Sequence, residues 1–116
     1  MTTTTSSINL NVYVCSPLSA PTREGVMKNM EKAKEYCAKA VSYYDGKASA
    51  FAPHAYLPHM LDDNISWQRK LALDFGLAVL EQCDVIAVCG DRISNGMRGE
   101  IEKAKELGKE MIFIKD

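Results

Sequence analysis

The chain's chemistry is most legible from Gly90 to Ala104, GDRISNGMRGEIEKA, where an apolar run passes through a glycine-containing polar turn directly into a helical pattern. Such a turn presents backbone N–H groups and the positive end of a helix to whatever lies at the strand tip, an arrangement that suits phosphate. Asn95, Gly96 and Met97 supply the candidate amides, Ser94 can add a hydroxyl, and Glu100 is placed in the first turn of the helix, facing the same cleft. A purely architectural role fits the same residues, with Ser94 as helix cap and Glu100 interacting with the helix dipole. Elsewhere, His54, His59, Asp62 and Asp63 share a loop, but their spacing fits no strong zinc pattern, so neither metal nor cofactor is expected. Cys15, Cys37, Cys83 and Cys89 form no C-x-x-C pair and read as reduced core thiols.

The elements that must carry these residues follow from periodicity. Leu10 to Cys15 (LNVYVC) is a β-rich run stopped at Ser16-Pro17. From Arg23 to about Tyr44, Val26, Met30, Ala33, Cys37, Ala40 and Tyr44 recur at spacings of three and four, which predicts a long amphipathic helix. Asp45-Gly46 ends it, Ala48 to Ala52 forms a short strand, and Pro53 opens a loop. Ser66 is the expected N-cap of a second helix reaching Gln82, with Trp67, Leu71, Leu77, Ala78 and Leu80 available for its buried side. The run DVIAVC from Asp84 suits a central strand covered on both faces; Met97 to Leu107 follows as a helix and Met111 to Ile114 as a last strand.

Strands alternating with helices require parallel pairing. The expected fold is therefore α/β: a three-layer, doubly wound, flavodoxin- or Rossmann-like parallel sheet of four to five strands. Ligands of such sheets bind beyond the carboxyl ends of the strands, where strand order reverses. Here those ends lead into Ser16 to Ser19, Pro53 to Asp63, and Gly90 to Gly96.

Composition bounds the partners. The chain has 116 residues, enough for one core, so residues 9–116 are expected to form a single domain behind a disordered tail, residues 1–8. Fourteen basic against fifteen acidic residues leave a net charge of −1, with no footprint for polymeric nucleic acid or for a membrane surface. No apolar run approaches a membrane span, and the threonine/serine start is no signal peptide, so a cytoplasmic location is expected.

Taken together, SxGMxxE after an apolar strand that begins with aspartate resembles the nucleoside 2-deoxyribosyltransferase superfamily, which includes nucleoside 5'-monophosphate N-glycosidases; the match spans most of the chain. The resemblance implies a tyrosine on the first strand, Tyr13 in VYVCSP, an aspartate on the helix before the central strand, Asp74 in LALDFG, and a nucleophilic glutamate, Glu100. A closer likeness is to small ribosyltransferase-like domains of phages and their bacterial hosts, whose RxxxxxDxGLxxLxxCD stretch is matched by Arg69, Asp74, Gly76, Leu77, Leu80, Cys83 and Asp84. The chemistry so implied is coherent. Cleaving an N-glycosidic bond gives an oxocarbenium-like sugar, which calls for a carboxylate beneath the anomeric carbon and an acid for the leaving base. Glu100 and Asp74 would fill those roles, with Tyr13 positioning the carboxylate or the sugar.

The nucleoside transferases resemble this motif with an acidic residue in place of Ser94, the monophosphate glycosidases with serine. A carboxylate would repel phosphate and a hydroxyl can bind it, which points to a 5'-monophosphate or related small nucleotide. Arg23, Arg92 and Arg98 are candidate phosphate or ribose partners, Ser16 and Pro17 line the first strand end, and His54, Tyr56, His59 and Met60 could close over a base. The first loop, SPLSAPTR, lacks the glycine-rich turn of the glycosidases. Two functions remain open: hydrolysis or transfer at the glycosidic bond, and binding that sequesters a nucleotide signal, such as an ADP-ribose derivative or a cyclic nucleotide, in phage counter-defence. A third reading, a structural domain with a vestigial cleft, ranks behind them. Since the resembling families complete sites between subunits, a homo-oligomer, dimer or tetramer, is expected.

Overall fold

In a computed structural model describing residues 9–56 and 65–116, four strands and three helices alternate along the chain. The expected tail, residues 1–8, and His59, Met60, Asp62 and Asp63 of the histidine loop lie outside the described residues. The elements are β1 (Leu10–Cys15), α1 (Arg23–Tyr43), β2 (Ala48–Phe51), a single 3₁₀ turn (Pro53–Ala55), α2 (Ser66–Gln82), β3 (Val85–Cys89), α3 (Asn95–Glu106) and β4 (Glu110–Ile114). All pairings are parallel, in the order β2-β1-β3-β4, so the α/β doubly wound architecture is as expected, with four strands. The chain leaves β1 toward one edge and returns to build on its other side, which makes the β1/β3 junction the switch point.

Strand alternation divides the core in two. Val12, Val14, Val85, Ala87, Ile112 and Ile114 turn toward α1, against Ala33, Tyr36 and Ala40 on that helix. Tyr13, Cys15, Ile86 and Val88 turn the other way, beneath Leu80 of α2 and Met97 and Ala104 of α3. The β3 run is buried at every position, as a strand covered on both faces must be. At its start, Asp84 donates its amide to the Asn11 carbonyl and accepts the Asn11 amide on Oδ2, both at 2.8 Å, which locks β3 to β1 in register. At its end Gly90 adopts φ +93°, and a Cβ there would stand 3.1 Å from the Tyr36 hydroxyl. Glycine is the residue that lets the chain leave β3 at that angle.

Two local expectations are corrected. Ser66 does not cap α2: it is the first helical residue, Ile65 holds the cap position, and no side chain caps it. The buried side of α2 is also narrower than its apolar content suggests. Leu80 and Gly76 are buried and Leu77 packs against the core, but Trp67 and Leu71 are 64% and 50% exposed. A helix apolar on opposite faces can turn only one of them to its own sheet.

Candidate functional site

The loops after β1, β2 and β3 surround a cleft of about 770 Å³, roofed by one face of α2. At its floor Tyr13 projects from β1 and donates its hydroxyl to Glu100 Oε2 at 2.6 Å. Glu100 reaches this point from the second turn of α3, one turn deeper than expected, because the helix already begins at Asn95. Gly76 makes room for the pair: a Cβ there would lie 3.2 Å from the Tyr13 hydroxyl and 3.8 Å from Glu100 Oε2. Glycine costs about 1 kcal/mol in mid-helix, so its presence here is explained by this close approach.

Desolvation dominates the electrostatics. Burial raises the Glu100 pKa, while the hydrogen bond from Tyr13 and the nearby Cys15 thiol partly offset that rise. Tyr13, buried beside that carboxylate, is driven far above the ordinary phenol range and stays a donor. Burial and Glu100 also push the Cys15 thiol far up; its sulfur faces the Met97 carbonyl at 3.8 Å. All four cysteines are free thiols, and each has its pKa raised chiefly by burial, so none is a ready thiolate.

On the opposite wall Ser16 Oγ and His54 Nε2 stand 2.7 Å apart, and burial lowers the His54 pKa to about 4, leaving a neutral ring at physiological pH. Ser94, Asn95, Gly96 and Met97 line the cleft at the α3 N-terminus. Ser94 is also the helix N-cap: its Oγ accepts from the Met97 amide at 3.3 Å. Two arginines, Arg69 from α2 and Arg92 from the β3–α3 turn, complete the wall.

Four candidates fall elsewhere. Asp74 is 59% exposed and pairs with Lys70 at 2.8 Å, one turn earlier on α2. Gly76 faces Glu100, and a residue two positions away along a helix is rotated by about 200°, onto the far side. Glu100 is thus the one carboxylate among the described residues lining the cleft. Pro17 turns its ring toward Gly90, and Arg23, the exposed first residue of α1, is not on the wall; nor is Arg98. Conversely, sequence reasoning assigned no role in the site to Arg69, Gly76, Leu18 or Ser19. A lone glycine inside a helical run is a signal of close approach, and Arg69, seven residues before it, shares its face.

Among curated proteins, none matches the chain in sequence. The fold is similar to the solved structure of a 2-deoxyribosyltransferase from the psychrotolerant bacterium Bacillus psychrosaccharolyticus, with a TM-score of 0.63 and 19% identity over 90% of this chain and 72% of that one. Residues 10–114 match the model of the family described as a domain of unknown function, DUF7768, and the chain belongs to that family.

Proposed function

We propose that the cleft binds a small phosphorylated nucleoside and that Glu100 attacks its anomeric carbon, breaking the N-glycosidic bond for hydrolysis or transfer. The observation that carries this reading is the Tyr13–Glu100 pair at 2.6 Å, a single carboxylate held by a buried phenol at the floor of the cleft. A fixed, partly desolvated carboxylate is suited to stabilise or trap an oxocarbenium-like sugar. Arg69, Arg92 and the α3 N-terminus make the rim cationic, which supports phosphate on the ligand. The fold shared with a 2-deoxyribosyltransferase supports the same class of chemistry.

The outward turn of Asp74 favours a second reading, since it removes the expected acid for the leaving base from the cleft. In that reading the domain binds a nucleotide signal and leaves it intact. Incubation with a panel of ribo- and deoxyribonucleoside monophosphates, with free base followed by chromatography, separates the two. Release of base that is abolished in Glu100→Gln supports the enzyme; micromolar or tighter binding with recovery of unchanged ligand supports sequestration. Release of base at an undiminished rate in Glu100→Gln would sink the proposed role of Glu100.

A further inference from the structure

A neutral nucleobase is a poor leaving group: the electron pair of its glycosidic bond must be met by a proton, which calls for an acid placed over the base. Among the described residues the cleft holds no group suited to that task. Asp74 is engaged with Lys70 at 2.8 Å on the far side of α2. The Tyr13 hydroxyl is committed to Glu100 at 2.6 Å, and burial beside that carboxylate makes its proton harder still to give up. His54, its pKa lowered to about 4 by burial, is no imidazolium at physiological pH. Arg69 and Arg92 keep their protons at any such pH.

The charges that are present have an order. Glu100 puts a carboxylate at the floor, held by neutral groups, the Tyr13 hydroxyl and the Cys15 thiol; no lysine or arginine among the described residues pairs with it. Arg69, Arg92 and the N-terminus of α3 make the rim positive. Asn95 opens α3 and Glu100 follows five residues later, so floor and rim are about 7–8 Å apart along the helix axis. That is close to the span from the anomeric carbon of a sugar to a phosphate on its 5' oxygen. The complementary ligand is a zwitterion, positive at the anomeric carbon and negative at the 5' end.

We propose that the substrate is a nucleotide whose heterocycle is already cationic, an N-ribosyl pyridinium or an N7-alkylated purine carrying a 5'-phosphate. This substrate class presupposes the glycosidic-bond reading above and narrows it. A Glu100 carboxylate oxygen attacks the anomeric carbon, the carbon–nitrogen bond breaks, and its electron pair returns to the ring. The ring's positive charge is thereby discharged, and the base leaves neutral without taking up a proton. Water then attacks the same carbon, Glu100 departs as the carboxylate, and one proton of that water passes to solvent. The sum is cationic nucleotide plus water going to neutral base, sugar 5-phosphate and a proton. No acid is called for at any step, and the outward turn of Asp74 leaves the machinery complete.

The test uses the natural chain and a matched pair, 7-methylguanosine 5'-monophosphate against guanosine 5'-monophosphate, which differ by one methyl group and its charge. Nicotinamide mononucleotide is the pyridinium arm, and free base is followed by chromatography at pH 6. An acid acting on a neutral base is worth roughly 10²–10⁴-fold, so one or both cationic nucleotides should release base at least about 100-fold faster than guanosine monophosphate. Which of the two is cleaved identifies the ring. With nicotinamide mononucleotide, whose charge does not titrate, the rate should rise as Glu100 ionises and then stay level to pH 9. Asp74→Asn should leave the rate unchanged. A smaller preference, a rate that falls on the alkaline side with nicotinamide mononucleotide, or loss of activity in Asp74→Asn overturns the proposal, since each reveals an acid at work, from residues 57–64 or elsewhere. Glu100-dependent release from guanosine monophosphate would then still uphold the broader glycosidic-bond reading. Release from no nucleotide of either kind sinks both.

Discussion

A carboxylate that attacks carbon, the role proposed for Glu100, must be ionised, and Glu100 stands where ionisation is disfavoured. Burial raises its pKa and the Tyr13 hydroxyl pulls it back, so the balance between the two fixes how much nucleophile is present at a given pH. The rate should therefore fall on the acid side at a pH above the ordinary glutamate value of 4.5. Removing the phenol hydroxyl removes an interaction that favours the charged form. Tyr13→Phe should move the acid limb of the kcat/KM profile to higher pH and, through loss of a hydrogen bond to charge worth about 1.5–3 kcal/mol, lower the rate about 10- to 100-fold. A tyrosine that serves only as core would leave the limb where it is, so a profile lowered without displacement would refute the positioning role. At this scale the cleft positions of Tyr13, Ser94 and Glu100 were legible because the apolar runs mark plainly where β1 and β3 run and where α3 must follow. Asp74 was misplaced since spacing along a chain does not reveal which way a helix is rotated, and the ion pair with Lys70 shows the outcome.

The N-terminus of α3 joins a structural task to the proposed binding one, and Ser94 is placed for both. Its hydroxyl caps the helix through the Met97 amide, and the same residue lines the cleft beside Arg92. Aspartate caps a helix as well as serine and favours the positive end of the dipole, whereas its charge opposes a phosphate at that end. Ser94→Asp should accordingly leave the melting temperature within a few degrees of the natural protein while weakening binding of nucleoside monophosphates at least tenfold. Affinity for the unphosphorylated nucleosides should be little changed. Equal loss for both ligand classes would mean that the turn does not read phosphate. The strands and helices themselves were legible almost to the residue, because β3 is apolar throughout and α1 has one clear stripe. On α2 the same rule misled. Its apolar residues fall on two faces, and a count of hydrophobic positions cannot tell a face for the sheet from a face for another surface.

Across the whole molecule, the parallel order β2-β1-β3-β4 gathers residues from the ends of three separate strands into one cleft, which is why positions as distant as Tyr13, His54 and Glu100 meet. Strand alternation with helices was enough to expect this place for the site; the Ser16–His54 contact was not foreseeable, because it depends on how the turn after β2 folds back over β1. The burial of that histidine gives the protein a pH response with a definite sign. Buried His54 has its pKa lowered to about 4 from 6.5, so between those values the unfolded chain takes up a proton that the folded one refuses. Stability from this group is complete above pH 6.5 and is lost as the pH falls toward 4, by at most about 3 kcal/mol and less for a ring partly reached by solvent. Glu100 works in the opposite direction: with its folded pKa raised above 4.5, the folded state binds the extra proton there, and acidification relieves a buried charge. Thermal melts from pH 7 to pH 4.5 should separate the two. His54→Gln keeps a polar partner for Ser16 but cannot titrate, and should flatten the decline in melting temperature below pH 6.5. Glu100→Gln removes the opposing contribution and should steepen it. If His54→Gln loses stability on acidification as fast as the natural chain, the imidazole is not the group behind the acid-side loss of stability.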